Sequence, residues 1–149
     1  MKRIFLAGAG RSSAVLIKFL LSRSEATGFK LVVGDVTMEA AQAKTGAHPN
    51  SLAIAFDVLN DDQRATEVAG SDVVISLLPP HLHHLLVKEC IRFKKHFISA
   101  SYISSEVLAM NEAATNAGIL VLGECGLDPG IDHMSAIDRK STRLNSSHT

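Results

Sequence analysis

The chain has 149 residues, enough for about one domain. Apolar residues make up 46% and charged residues 20%, and fifteen basic side chains balance fifteen acidic ones. This excludes general disorder and leaves no net basic footprint for a nucleic-acid partner. No apolar run reaches the roughly 18 residues of a membrane span. The opening "MKRIFLAGAGR" is broken by glycines too early for a secretory signal. Cys90 and Cys125 lie 35 positions apart, with no C-x-x-C pair. They suit free thiols in a reducing, cytoplasmic setting, and both are expected as small buried hydrophobes.

Taken in chain order, the sequence alternates two kinds of segment. "RIFLAG" predicts a first strand, and "RSSAVLIKFLLSR" a helix that is apolar almost all round. "KLVVGD" predicts the second strand, and "TMEAAQAKTG" a helix ending on Gly46. "LAIAFD" follows as a third strand. "NDDQRATEVAG" predicts a helix capped by Asn60 or Asp61 and stopped at Gly70. "DVVISLL" is the fourth strand, and "PPHLHHLLVKECIRFKK" a helix with proline in its first turn. "HFISAS" is the fifth. "SSEVLAMNEAATNAG" predicts one helix with a Ser104/Ser105 cap, an early Glu106 and a terminal Gly118, and "ILVLGE" the sixth strand. The strand runs are apolar nearly throughout rather than alternating, as strands covered on both faces are. Strand, helix, strand in repetition predicts an α/β fold, a doubly wound parallel sheet of about six strands of the dinucleotide-binding kind. No linker or internal repeat interrupts it before about residue 137.

The turn "FLAGAGRSSAVLIKFL" carries the first chemical signal. Gly8 and Gly10 fill the first two places of G-x-G-x-x-G, with Arg11 and Ser12 following and Ser13 at the third place. The first glycine permits the tight turn, the second lets backbone approach a pyrophosphate, and the third place needs a small residue for helix–strand packing. The helix start then offers N–H donors to the phosphates. Asp35 lies 22 positions past Ser13, close to the spacing of about 20 for the acid that binds the adenosine ribose. Its carboxylate would repel a 2′-phosphate, and Val36 and Thr37 supply no arginine to hold one. NAD is therefore preferred, with NADP as the second choice. Asp57, with Val58 beside it, fits a contact to the adenine edge; an acid at a helix N-terminus reads equally well. Ser76, Leu77, Leu78 and Pro79 close the fourth strand, beside the switch point where cofactor and substrate meet.

From "VISLLPPHLHHLLVKECIRFKKHFISASYISSEV" to "GECGLDPGIDHMSA" the chain resembles saccharopine dehydrogenases of the glutamate-forming, saccharopine-reductase type. The resemblance covers residues 2 to about 136, and "GLDPGIDHM" and "SASYIS" are its most specific runs. It implies a Rossmann domain followed by a larger substrate domain. It also implies hydride transfer between a nicotinamide cofactor and saccharopine, interconverted with glutamate and 2-aminoadipate 6-semialdehyde. By the same resemblance Gly8, Gly10, Ser12 and Ser13 hold pyrophosphate, and Ser76 lines the nicotinamide side. Ser101 and Tyr102 line the cofactor–substrate boundary, and Leu127, Asp128, Pro129 and Gly130 form a loop facing an amino-acid-derived small molecule. Fungal relatives use NADP with an arginine after the second strand, where this chain has Asp35. The resemblance assigns no general base, so the catalytic residue is unknown. A homodimeric parent enzyme is compatible with it.

Other clusters point to less. His81, His83 and His84 are expected as partly exposed helix-start histidines; no nearby carboxylate or cysteine completes a metal set. "RFKKH" suits a helix C-terminus. Asp132 and His133 suit a structural pair. From Asp138 to His148, eleven consecutive residues can be encoded by one frame of a sequencing-library adapter. Residues 138–149 are therefore expected to be non-native and to pack on nothing, with 1–137 the cofactor domain and the chain inactive without a substrate domain. Two other functions stay open. One is a stand-alone NAD-sensing module, against which "GLDPGIDHM" argues. The other is a homospermidine or carboxynorspermidine enzyme.

Overall fold

The structure, a computed structural model, describes residues 1–125. Its six strands are β1 (Lys2–Ala7), β2 (Phe29–Asp35), β3 (Ser51–Ala55), β4 (Val73–Ser76), β5 (His96–Ser99) and β6 (Val121–Leu122). They form one sheet in the order β3-β2-β1-β4-β5-β6, every pair parallel. The order reverses between β1 and β4, which makes the gap beyond their C-terminal ends the switch point of a doubly wound sheet. The strand count and the parallel pairing agree with the sequence pattern.

The apolar strand runs exist because helices cover both faces. Phe5, Ala7, Val32, Val74 and Phe97 face one side, against helices α3 (Asp61–Ala69) and α4 (His83–Phe93). Leu6, Leu31, Val33 and Ile75 face the other, against α1 (Ala14–Thr27) and α2 (Met38–Thr45). Each fully buried side chain of this size contributes about 1.5–3 kcal/mol. The caps expected near Asn60 and Ser104 form, and Thr37 adds one that the sequence reading did not single out. Thr37, Asn60 and Ser104 accept backbone N–H groups of Ala40, Gln63 and Val107 at the starts of α2, α3 and α5 (Ser105–Leu108). Each such cap stabilises its helix by about 1 kcal/mol.

Three expectations need correction. The segment after β5 is not one helix but two, α5 and α6 (Asn111–Ala117), broken at Ala109–Met110. Helix α1 packs on the sheet through Ile17 and Leu21 and turns Val15 and Phe19 outward, Phe19 lying under the Arg23 guanidinium at 5.4 Å. Cys125 is exposed, whereas Cys90 is buried as expected. Burial and the neighbouring Glu89 push the Cys90 thiol up to about 12, so it stays protonated and unreactive. The third correction concerns His83, described with the site.

Gly34 shows how tightly the centre is built. A Cβ there would stand 2.8 Å from Phe56 Cβ and 3.1 Å from the Phe5 ring, two rings already packed edge to face at 4.9 Å. Gly34→Ala should lower the unfolding free energy by about 1–3 kcal/mol through overpacking. Urea denaturation measures it, and an unchanged midpoint would contradict this packing.

Candidate functional site

The C-terminal ends of β1, β2 and β4 meet at one residue. Gly8 has φ +104°, a conformation that L side chains rarely adopt. A Cβ on it would lie 3.0 Å from the Leu77 carbonyl carbon and 3.2 Å from the Leu78 nitrogen. Its own N–H donates to the Gly34 carbonyl at 2.8 Å, and the Leu77 N–H donates to the Ala7 carbonyl at 2.8 Å. The next amide, Ala9, donates to Asp35 Oδ2 at 3.1 Å, while Val36 N–H donates to Oδ1 at 2.7 Å. A carboxylate has about four acceptor positions. Asp35 is thus tied to the turn yet keeps capacity for hydroxyl donors.

Gly10 differs from Gly8. It is exposed, its φ is −73°, and a Cβ would meet nothing within 4 Å. The protein therefore has no internal need for glycine there, and the open space above it is available to a ligand. Arg11 and Ser12 are exposed on the following 3-10 turn, but Ser13 is buried and donates its hydroxyl to the Gly10 carbonyl at 2.6 Å. Ser13 thus meets the requirement for a small packed residue, and its hydroxyl proton is committed within the turn.

The helices that leave β1 and β4 share a feature. Neither α1 nor α4 has a side-chain N-cap or an acid in its first turn, whereas α2, α3 and α5 have both. The positive end of each helix thus has no side-chain partner, although the His83 N–H at the start of α4 donates to the Pro80 carbonyl and the Ser13 N–H ahead of α1 to the Gly10 carbonyl.

Asp57 stands exposed beyond β3. It accepts the Leu59 N–H at 3.0 Å and its own N–H donates to Gln63 Oε1, so it shapes the entry to α3. Val58 gives its side chain to the core, and its carbonyl accepts Arg64 Nη1 at 2.6 Å. Arg64 in turn pairs with Asp61 and Glu89, tying α3 to α4. Leu77 and Leu78 are half-buried and Pro79 exposed along the exit from β4. Leu127, Asp128, Pro129, Gly130, Asp132 and His133, with the 138–149 segment, lie outside the described residues.

Ser76 and Ser101 are brought together through a residue that sequence reasoning passed over. His83, expected at the surface, is 3% exposed. Its Nδ1 lies 2.8 Å from Ser76 Oγ and its Nε2 3.1 Å from Ser101 Oγ, with the ring edge-on to Phe97. Tyr102, next in the chain, is 54% exposed on the same rim. The available signal was positional: His83 opens the helix that follows β4, seven residues after Ser76. Two open clefts of about 440 and 530 Å³ lie elsewhere, one at the opposite edge beside Lys2 and His96, the other between α1 and α2. Neither touches the turn; ligands of open α/β sheets bind beyond the strands' carboxyl ends.

A six-stranded parallel sheet in this order, with a glycine turn at its switch point and an acid at the end of β2, defines a dinucleotide-binding Rossmann domain. Residues 4–122 match the family model described as "Saccharopine dehydrogenase NADP binding domain", and the chain belongs to that family. It is 38% identical to saccharopine dehydrogenase [NADP(+), L-glutamate-forming] of Pyricularia oryzae, over 91% of this chain and 29% of that protein. It is 39% identical to alpha-aminoadipic semialdehyde synthase of Arabidopsis thaliana, over 76% of this chain and 11% of that one. The solved apo saccharopine dehydrogenase (L-Glu forming) of Saccharomyces cerevisiae superposes with a TM-score of 0.85 at 34% identity, over 93% of this chain and 30% of the other. The chain thus spans less than a third of these relatives' lengths. Among the described residues, no helix is long and apolar enough to cross a membrane.

The His83 environment has a consequence for stability. Burial, with the charge of His81, lowers its affinity for a proton below the ordinary value of 6.5. Below about pH 6.5 the unfolded chain takes up a proton there that the folded chain refuses. This contribution to folding stability is therefore lost as pH falls from about 6.5 toward the lowered folded-state value, and is flat above. Denaturant midpoints from pH 8 to 5 should fall less steeply in His83→Phe than in the unsubstituted chain; parallel profiles would contradict the assignment.

Proposed function

We propose that this chain is the cofactor-binding part of a saccharopine-dehydrogenase-type oxidoreductase of lysine metabolism. The contrast between Gly8 and Gly10 carries the reading: one glycine is demanded by the fold, the other only by something that approaches from outside. The bound dinucleotide supplies hydride chemistry. The chain's own residues hold and orient it. Backbone N–H groups of the Gly10–Ser12 turn and the uncapped start of α1 meet the pyrophosphate. Asp35 accepts the ribose hydroxyls, Asp57 and Val58 border the adenine, and Ser76 to Pro79 border the nicotinamide. Ser101 and Tyr102, with the 127–130 loop, face an amino-acid-derived secondary amine such as saccharopine. Substrate selection is assigned to the portion that the relatives carry beyond the matched region, so this chain should not turn over alone.

The cofactor reading is finer than the family description. Asp35 places a negative charge where a 2′-phosphate would sit, and Val36 and Thr37 offer no cation. NAD is favoured over NADP. The two free cysteines suit a reducing, cytoplasmic setting.

Two substitutions test this. Gly10→Ala should leave thermal stability unchanged or raise it by about 0.4–1 kcal/mol, because its backbone is compatible with Ala. It should nonetheless weaken NADH binding at least tenfold in fluorescence titration. Retained affinity would overturn the pyrophosphate assignment. Asp35→Asn should narrow the preference for NADH over NADPH by about tenfold, a change of about 1.4 kcal/mol. A native chain that prefers NADPH would overturn the NAD reading while leaving the fold assignment intact.

A further inference from the structure

We propose that His83 is a positioning residue of the dinucleotide site, bracing the end of β4 against the segment after β5 and fixing which way the Ser101 hydroxyl donates. The inference rests on the dinucleotide reading above and deepens it.

A buried ring held at both nitrogens needs a reason, since an apolar residue could fill the same space against Phe97. A neutral imidazole carries one N–H and one lone pair. One of its two serines must donate to the ring and the other must accept from it. Ser76 is fully buried, and its Oγ also lies within reach of the Leu78 N–H, at 3.4 Å. A hydroxyl has two lone pairs, so the Leu78 contact alone leaves the direction open. The Ser76 proton, however, is buried and among the described residues meets no acceptor other than His83 Nδ1, so it goes there. Nε2 then carries the ring proton and donates it to Ser101 Oγ. Ser76 is satisfied inside the protein, whereas among the described residues the half-buried Ser101 has no acceptor for its hydroxyl proton. The brace thus turns a serine that could rotate into a directed donor. That donor stands over the β4–β5 half of the sheet, the half that takes the nicotinamide nucleotide. The ligand group it suits is a hydrogen-bond acceptor at that end of the cofactor. Burial disfavours the protonated ring, in which both nitrogens donate and the Ser76 proton would lose its acceptor.

The discriminating measurement compares two ligands on the 149-residue chain: NADH, and ADP-ribose, which lacks the nicotinamide. His83→Phe keeps a planar ring beside Phe97 and deletes both hydrogen bonds. It should weaken NADH about tenfold, the size of one well-made hydrogen bond, and leave ADP-ribose within about twofold. His83→Gln, with a donor and an acceptor on one amide, should recover part of the NADH affinity. Ser101→Ala should weaken NADH to a similar degree. The double variant His83→Phe with Ser101→Ala should be no worse than either single variant, because both act through one donor. Should His83→Phe fail to fold, Ser101→Ala alone carries the comparison, being confined to a half-buried side chain. Long-range ¹H–¹⁵N spectra should place the ring proton on Nε2. Equal loss of both ligands, no loss of either, or an Nδ1-protonated ring would each overturn the proposal. An unsubstituted chain that binds neither ligand would overturn the dinucleotide reading itself, and this proposal with it.

Discussion

The site depends on the approach of three strand ends around a residue without a side chain. Gly8 sits against the Leu77 backbone on one side and donates to the Gly34 carbonyl on the other, so the ends of β1, β2 and β4 close to backbone contact. Everything functional hangs from that closure. Because the chain turns in a left-handed conformation at Gly8, it leaves the sheet at once and starts α1 directly above the switch point. Because β2 lies beside β1, Asp35 reaches the Ala9 amide and is held against the turn. Because β4 flanks the other side, the Ser76–Pro79 exit forms the opposite lip of the crevice.

Rigidity is distributed to match. The lower part of the sheet is enclosed on both faces and tied by apolar packing, with Gly34 giving the Phe5 and Phe56 rings room to meet. The rim is held by backbone donors and short polar side chains instead: Ser13 on Gly10, Ala9 on Asp35, and His83 between Ser76 and Ser101. Such a rim is ordered without being filled, which a site for an incoming charged ligand requires. The uncapped starts of α1 and α4 fit the same division. The fold places side-chain caps on α2, α3 and α5, while the two switch-point helices, like α6, have none.

Much of this was legible in the sequence because the physics is local. A buried parallel strand needs apolar residues on both faces, so "KLVVGD" and "DVVISLL" announce themselves; the helix caps at Asn60 and Ser104 need only their own first turn. What was not legible depends on distant neighbours. The break between α5 and α6 has no glycine or proline to mark it. The exposure of Cys125 depends on what packs beside β6. The "HLHH" run reads as polar and therefore exposed. His83 is buried because Ser76, seven residues earlier, and Ser101, eighteen later, satisfy both ring nitrogens. Only the β4–α4–β5 crossover brings those partners together. Asp35 was legible as an acid in the right place, but not as one already bonded to the turn it would serve with a cofactor.

The central claim is that a dinucleotide lies across the C-terminal edge of β1, β2 and β4. An NAD titration followed by backbone amide NMR tests it most directly, since each residue reports separately. The account predicts that the shifts concentrate at Ala9 to Ser13, Asp35 and Ser76 to Leu78. Shifts confined to the opposite edge, at Lys2, Lys94 and Lys95, or no shifts at any residue, would contradict it.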